Sequence, residues 1–176
     1  PGDILASMLN LEKSFRLYRG DGKPVEFGQM LSEIGDVDVV FIGEYHDDAV
    51  AHYLEKKIVK SLHANRINPS VNLVESSNPR QLILSFEMFE RDVQYILDEY
   101  LHGLITEKHF VKAARCWSNY QSDYRPMIEY ARENRLAVVA ANAPRRYVNL
   151  VGREGVDALK KIIQPFERGL PPLPYA

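Results

Sequence analysis

The sequence is poor in the features that mark several large classes of protein. It has a single cysteine, Cys116, so no internal disulfide can form and the fold does not depend on oxidation. We expect this thiol to be a small buried apolar group. No run of about 18 apolar residues occurs, which predicts no membrane-spanning helix in the chain. The net charge of −2 gives no reason to expect nucleic acid as a partner.

What the sequence does contain is typical of a globular domain. Its 176 residues are 45% hydrophobic and 26% charged, which is enough for one domain with a real core. We therefore predict a single α/β domain over residues 1–176. The chain begins with Pro1 and shows no targeting leader, so we expect a mature or cut form.

Alternating apolar strands and helical stripes predict a mainly parallel sheet with helices on both faces. The predicted strands cover residues 37–42, 82–86 and 136–141. An N-terminal β-hairpin over residues 15–27 precedes them. A helical insertion at about 89–134 forms a subdomain between the second and third strands.

Helix signals fill the remaining segments. Asp47 or Asp48 is placed to cap a helix that runs to about residue 65, since an acid at this position favours the positive end of the helix. A short strand is predicted at 71–74. Further helices are predicted at 28–34, 91–101, 106–115, 123–134, 144–150 and 155–163.

Polar and ionisable side chains follow all three predicted strands. They are Gly43, Glu44 and His46 after the first, Glu87 after the second, and Asn142, Arg145 and Arg146 after the third. Ligands of parallel sheets gather outside the carboxyl ends of the strands. We therefore expect a pocket on one rim, formed by Gly43, Glu44, His46, Glu87 and Asn142.

Several of these groups also have a structural explanation. Glu87 could pair with a nearby arginine, and Asn142 could cap the helix that starts at Pro144. Glu44 and His46 are harder to explain in this way, because a cap needs one oxygen and not a carboxylate and an imidazole. The other histidines are predicted to be surface or packing residues: His52, His63, His102 and His109.

Five stretches, taken in order, resemble the ChaN-like haem-binding uptake family. They are VDVVFIGEYHDD, FEMFERDVQYILDEYLHG, TEKHF, WSNYQSDYRPMIEYARENRL and VVAANAPRR. The resemblance runs from about residue 37 to 155 and includes the Gly-x-x-His motif at 43–46, which the family shares with Tiki proteases, TraB-type proteins and erythromycin-esterase-like proteins. This chain interposes INPSVNLVESSNPRQ and has no second Gly-x-x-His, so the family domain is predicted to be incomplete at its C-terminus.

The resemblance implies haem binding linked to iron uptake or haem handling, and we favour a binding protein over an enzyme. It also implies a homodimer in which a tyrosine of one subunit ligates the iron and basic side chains of the other meet the propionates. Our candidates are Tyr147 with Arg145 and Arg146, and Tyr120 and Tyr124 are rivals as phenolate ligands of ferric iron. The implied location is a plastid in a photosynthetic eukaryote, or an exported, membrane-anchored form in bacteria.

Two other functions stay open. In a metal-dependent hydrolase of the Tiki type, Glu44, His46 and Glu87 would hold a divalent ion and one carboxylate would activate water. Three such ligands match the number that a catalytic metal usually takes from a protein. In a scaffold domain, the fold would persist while the site decayed.

Overall fold

The structure, a computed structural model, describes residues 14–67 and 81–161. They fall into two compact units. The first contains the described residues up to Leu82 together with Asn119–Met127, and the second contains Ile83–Ser118 and residues 128–161. The strand predicted at 71–74 lies outside the described residues. The prediction of one domain over 1–176 with a helical insertion stays a prediction.

The first unit begins with a tight turn. Tyr18 and Pro24 form an isolated antiparallel bridge, and Gly22 has a φ of +82°, a conformation that favours glycine. The predicted hairpin is therefore reduced to one bridge, without strands on either side. Helix α1 follows at Phe27–Gly35, close to its predicted bounds.

Helix α2, Ala49–Ile67, is capped as its sequence predicts. Asp48 Oδ1 accepts hydrogen bonds from the backbone N–H groups of Val50 at 2.8 Å and Ala51 at 3.2 Å. These bonds satisfy donors that have no partner within the helix. Among the described residues, no helix combines the length and hydropathy needed to span a bilayer.

The predicted strand at 37–42 is wrong. These residues form bends and irregular backbone, and their apolar side chains are exposed, with Phe41 at 95%. A strand forms only when its backbone pairs with a neighbour, and within the described residues no ladder includes this segment. An apolar β-branched run supplies the propensity for a strand but not the partner.

The second unit is built on a parallel pair of strands joined by helices, which confirms the α/β class. Strand β1 covers Ile83–Glu90 and strand β2 covers Ala137–Asn142. The elements between and after them are a 3₁₀ turn at Arg91–Val93, α3 at Gln94–Leu101, α4 at Glu107–Ala113, a π-helical turn at Tyr120–Tyr124, α5 at Arg125–Glu133, α6 at Arg145–Glu154 and a 3₁₀ turn at Val156–Lys161. The turn at 120–124 and the start of α5 belong to the first unit.

The side chain of Gln94 protects the backbone of β2. Its Nε2 donates to the carbonyl oxygen of Val138 at 2.8 Å, and its Oε1 accepts from the N–H of Ala140 at 2.7 Å. One amide side chain thus replaces the two hydrogen bonds that a neighbouring strand would make. The first residue of α3 in this way fixes the helix against the sheet.

Aromatic side chains form the centre of the second unit. The rings of Tyr100 and Phe110 stack with centroids 4.4 Å apart, and Phe89 lies 5.7 Å from Phe110. All three residues are buried. The predicted C-terminus of α3 is confirmed, because Gly103 has a φ of +74° and ends the helix.

Candidate functional site

Three titratable side chains converge in the first unit, at the start of α2. His52 and Glu55 stand one helical turn apart on α2 and are both buried. Glu44 comes from the irregular segment before the helix and is largely buried. The Nδ1 atom of His52 lies 2.9 Å from Oε2 of Glu44 and 3.2 Å from Oε2 of Glu55.

The two oxygens of Glu44 have different surroundings. Oε1 accepts a hydrogen bond from the Tyr124 hydroxyl at 2.5 Å and lies 3.1 Å from Nδ1 of His46. Oε2 is buried and has no hydrogen-bond partner among the described residues, although His52 is close to it, because the imidazole is not aligned for a hydrogen bond to this atom. A buried carboxylate oxygen without a donor is costly, which makes this atom a natural acceptor for a further group.

The imidazole of His52 is oriented by its other nitrogen. Nε2 lies 3.1 Å from the carbonyl oxygen of His46, which can only accept, so this nitrogen carries a proton. Nδ1 then faces the two carboxylates. The same carbonyl accepts a second bond from Nδ2 of Asn119 at 2.6 Å, and Asn119 also donates to Asp123 at 2.9 Å.

These contacts shift the ionisation of the three groups. Burial and the neighbouring Glu44 raise the pKa of Glu55 to about 7. Burial opposes ionisation of Glu44 as well, but hydrogen bonds from Tyr124 and His46 hold its pKa below the usual range. For His52, burial acts to lower the pKa, and the His46 carbonyl with the charge of Glu44 raises it overall. Two carboxyl groups and one imidazole thus influence one another's ionisation within a shared buried space.

The donor atoms of Glu44, His52 and Glu55 all lie within 4.8 Å of one another. Carboxylate oxygens and imidazole nitrogens are common ligands of divalent transition metals. Such an ion would give the buried Oε2 of Glu44 the interaction that no hydrogen-bond donor supplies among the described residues. The residues present therefore fit a divalent cation.

The predicted rim residues are distributed between the two units. Glu44 and His46 are neighbours in the first unit, with Gly43 beside them in irregular backbone. Glu87 lies within β1 of the second unit, where it is exposed, and does not follow the strand as predicted. The prediction that Glu87 joins Glu44 and His46 in one pocket stays a prediction.

The carboxyl ends of the two strands do meet in the second unit. Asn142 pairs in register with Glu90, the last residue of β1. Just beyond it, Asp92 accepts hydrogen bonds from Arg146, at the start of α6, and from Arg115 at 2.6 Å. Burial would raise the pKa of Asp92, but the two arginines hold it below its ordinary value.

The three candidate tyrosines differ in exposure. Tyr120 and Tyr124 are buried, and the hydroxyl of Tyr124 donates to Glu44. Burial and Glu44 raise the pKa of Tyr124, which disfavours a phenolate. Tyr147 is half-buried on α6, and the guanidinium of Arg146 lies 4.5 Å from its ring centroid. Arg145 is exposed.

The sequence prediction missed two members of the buried cluster. His52 was predicted to be a surface or packing residue, and Glu55 was not singled out. The signal was present, because His52-x-x-Glu55 places an imidazole and a carboxylate on one helix face, as in carboxylate-rich metal sites of helical bundles. The spacing of the pair does not identify a site by itself, and only the position of Glu44 beside His52 in the folded chain does so.

Comparison with known proteins shows the family to which the chain belongs. A model of the family described as "Haem-binding uptake, Tiki superfamily, ChaN" matches residues 30–176. This chain therefore belongs to the ChaN-like haem-binding uptake family of the Tiki superfamily.

The chain is also similar to a named plant protein. The chain is 25% identical over 150 residues to the protein RETICULATA-RELATED 5, chloroplastic, of Arabidopsis thaliana. The match covers 80% of this chain and 19% of the relative, so the chain spans about a fifth of that protein's length. No solved structure matches.

Proposed function

We propose that this protein binds haem and acts in the uptake or handling of haem iron. The observation that carries the proposal is the family match, which extends over residues 30–176 and names haem binding. Haem needs an iron ligand and cations for its propionates. Helix α6 offers both kinds of group close together.

We assign the iron ligand to Tyr147, with Arg145 and Arg146 as partners of the propionates. The guanidinium of Arg146 lies 4.5 Å from the ring centroid of Tyr147, so α6 presents a phenol, which can ligate ferric iron, and a cation side by side. Tyr120 and Tyr124 are less suitable, because both are buried and the latter hydrogen bonds to Glu44. Arg146 already pairs with Asp92, so Arg145, which is exposed, is the freer of the two cations.

We further propose a homodimer that holds haem between two copies of the chain. An exposed arginine on α6 suits a propionate that arrives with another subunit. A plastid location is supported by the chloroplastic relative.

Haemin titration of the full chain tests the proposal. We expect a shifted Soret band in the wild type, and at least about tenfold weaker binding in Tyr147→Phe. Tyr95→Phe is the matched control, because Tyr95 is an exposed tyrosine of the same unit. Light scattering should show that haemin converts the chain to a dimer.

A wild type that gives no shifted Soret band would end the haem proposal. Full binding by Tyr147→Phe, together with loss in Tyr124→Phe, would overturn the assignment of the ligand and move it to the first unit.

A metal-dependent hydrolase is the second candidate. The observation in its favour is the buried cluster beside the Gly-x-x-His motif, whose Glu44 and His46 belong to the predicted metal set. A metal-stimulated cleavage of peptide or ester substrates, lost in Glu44→Gln, would support it over haem handling.

A further inference from the structure

We propose that Glu44, His52 and Glu55 form a binding site for one divalent transition-metal ion in the first unit. His52 binds through Nδ1, and each glutamate contributes one carboxylate oxygen. This inference goes beyond haem binding and does not depend on it. It also replaces the metal set predicted from the sequence, because His46 and Glu87 are not ligands in it.

The three donors are brought together by two rigidly placed segments. His52 and Glu55 are fixed one turn apart by α2, whose first turn is held by the Asp48 cap. Glu44 is anchored from the other side by the hydroxyl of Tyr124, which binds Oε1 and leaves Oε2 directed at His52. The acceptor that lacks a hydrogen-bond partner among the described residues is thus also the oxygen of Glu44 that lies 2.9 Å from Nδ1 of His52.

An outer set of contacts prepares His52 for metal binding. Metal-ligating histidines usually donate their second N–H to a carbonyl or carboxylate, which fixes the tautomer. Here Nε2 of His52 donates to the carbonyl oxygen of His46 at 3.1 Å. Nδ2 of Asn119 donates to the same oxygen at 2.6 Å and so fixes its position. Asn119 is therefore a positioning residue of the site.

The side chain of His46 has a different role from its backbone carbonyl, because it contacts Glu44 and not His52. Its Nδ1 lies 3.1 Å from Oε1 of Glu44, and the side chain is about half exposed. It approaches the oxygen that Tyr124 already binds and not the one that faces His52. The motif histidine thus supports Glu44 from the solvent side.

The donor set selects the class of metal. One imidazole and two carboxylates suit Zn²⁺, Mn²⁺ or Fe²⁺ better than Mg²⁺ or Ca²⁺, which prefer oxygen ligands throughout. Metal–ligand bonds of about 2.1 Å place tetrahedral donors about 3.4 Å apart. The contacts of 2.9 and 3.2 Å need to open only slightly to reach that spacing. Three protein ligands leave one position for water or substrate.

Metal titration of the EDTA-treated full chain tests the site. Isothermal titration with ZnCl₂ and MnCl₂ should give one ion per chain, and MgCl₂ should bind much more weakly. Co²⁺ serves as the spectroscopic probe, since its visible bands report a nitrogen and oxygen ligand field. Circular dichroism of each variant checks that the fold is kept.

Four variants distinguish the proposed metal ligands from neighbouring residues that do not bind the metal. Losing an outer contact of a metal site costs about 10–100-fold in affinity, so His52→Ala and Glu55→Gln should cost at least about 100-fold. Glu55→Gln keeps the side-chain volume, which guards against a trivial loss of folding. His46→Ala removes only an outer contact to Glu44 and should cost about tenfold, less than the loss of either ligand. His63→Ala, which removes another buried histidine of α2, should leave affinity unchanged.

The proposal is overturned if folded wild-type protein binds Zn²⁺ and Mn²⁺ no more tightly than Glu55→Gln does. It is also overturned if His46→Ala abolishes binding while His52→Ala keeps it, which would restore the motif-based set. Haemin binding is measured separately, and failure of either titration leaves the other result standing.

Discussion

The two units of the protein use their buried space in opposite ways. The second unit fills it with stacked aromatic rings around Phe110 and leaves its ion pairs, such as that between Arg115 and Asp92, near the surface. The first unit buries His52 and Glu55 against a third titratable group. Aromatic burial stabilises a fold, whereas buried carboxylates oppose it unless a cation compensates them. At the proposed metal site, the first unit therefore holds groups whose burial opposes folding unless a cation compensates them.

The largest effect is expected in the aromatic centre of the second unit. Phe110→Ala should lower the free energy of unfolding by about 3–5 kcal/mol, because it removes a fully buried ring and leaves a cavity. Urea unfolding followed by fluorescence of Trp117, the single tryptophan, reports on the same unit. Tyr95→Ala, at an exposed position, should change stability by less than about 0.5 kcal/mol. Similar losses in both variants would mean that the ring cluster is not what holds the second unit together.

Two carboxylates should give pH dependences of opposite sign. The pKa of Glu55 is raised from 4.5 to about 7, so its stabilising contribution is complete below pH 4.5 and is lost as the pH rises through 7. The loss is at most roughly 3 kcal/mol. The pKa of Asp92 is lowered, so its contribution is present above the unfolded value of 3.8 and is lost as the pH falls through its folded pKa.

Urea unfolding in EDTA across this pH range checks both signs. Glu55→Gln should reduce the fall in stability toward neutral pH, and the part that remains belongs to His52, whose pKa is also raised. Asp92→Asn should cost about 1–3 kcal/mol near pH 7, where its two charged hydrogen bonds are intact, and much less in acid. Equal pH profiles for the two variants would remove the contrast between the units.

The smallest effect is expected at the cap of α2. Asp48→Ala should cost about 1 kcal/mol, because it leaves two backbone N–H groups of the first turn without their acceptor. Asp47→Ala is the matched control, because Asp47 is an exposed aspartate next to Asp48 and is not the cap. Thermal melts of the two variants in EDTA compare them directly. If Asp47→Ala costs as much, the cap assignment is wrong, and with it the rigid placement of His52.

Much of the fold could be predicted from local signals. The cap at Asp48, the end of α3 at Gly103 and the strand at 137–142 depend on residues close in the chain. The segment 37–42 could not be predicted in this way, because its apolar run has no strand partner within the described residues. Its sequence is typical of a strand, but hydrogen bonding to a distant segment decides whether a strand forms.

The candidate site was predicted only in part, for the same reason. Glu44 and His46 were found because they stand together in a short motif. His52 and Glu55 were missed because a His-x-x-Glu pair on one helix face also occurs at protein surfaces, so its spacing alone does not identify a metal site. Tyr124, far along the sequence, supplies the hydrogen bond that directs Glu44 toward them.

The sequence by itself determined the α/β class, the family and the approximate positions of most helices, since these follow from periodicity, capping chemistry and motifs of contiguous residues. The helix predicted at 155–163 is instead a 3₁₀ turn at Val156–Lys161. Only the tertiary structure decided which titratable groups share a buried volume, and that Glu44 faces His52 and Glu55. The physical reason is that burial and electrostatic interaction depend on distance in space, and residues 44, 52, 55 and 124 are brought within hydrogen-bonding distance by folding alone.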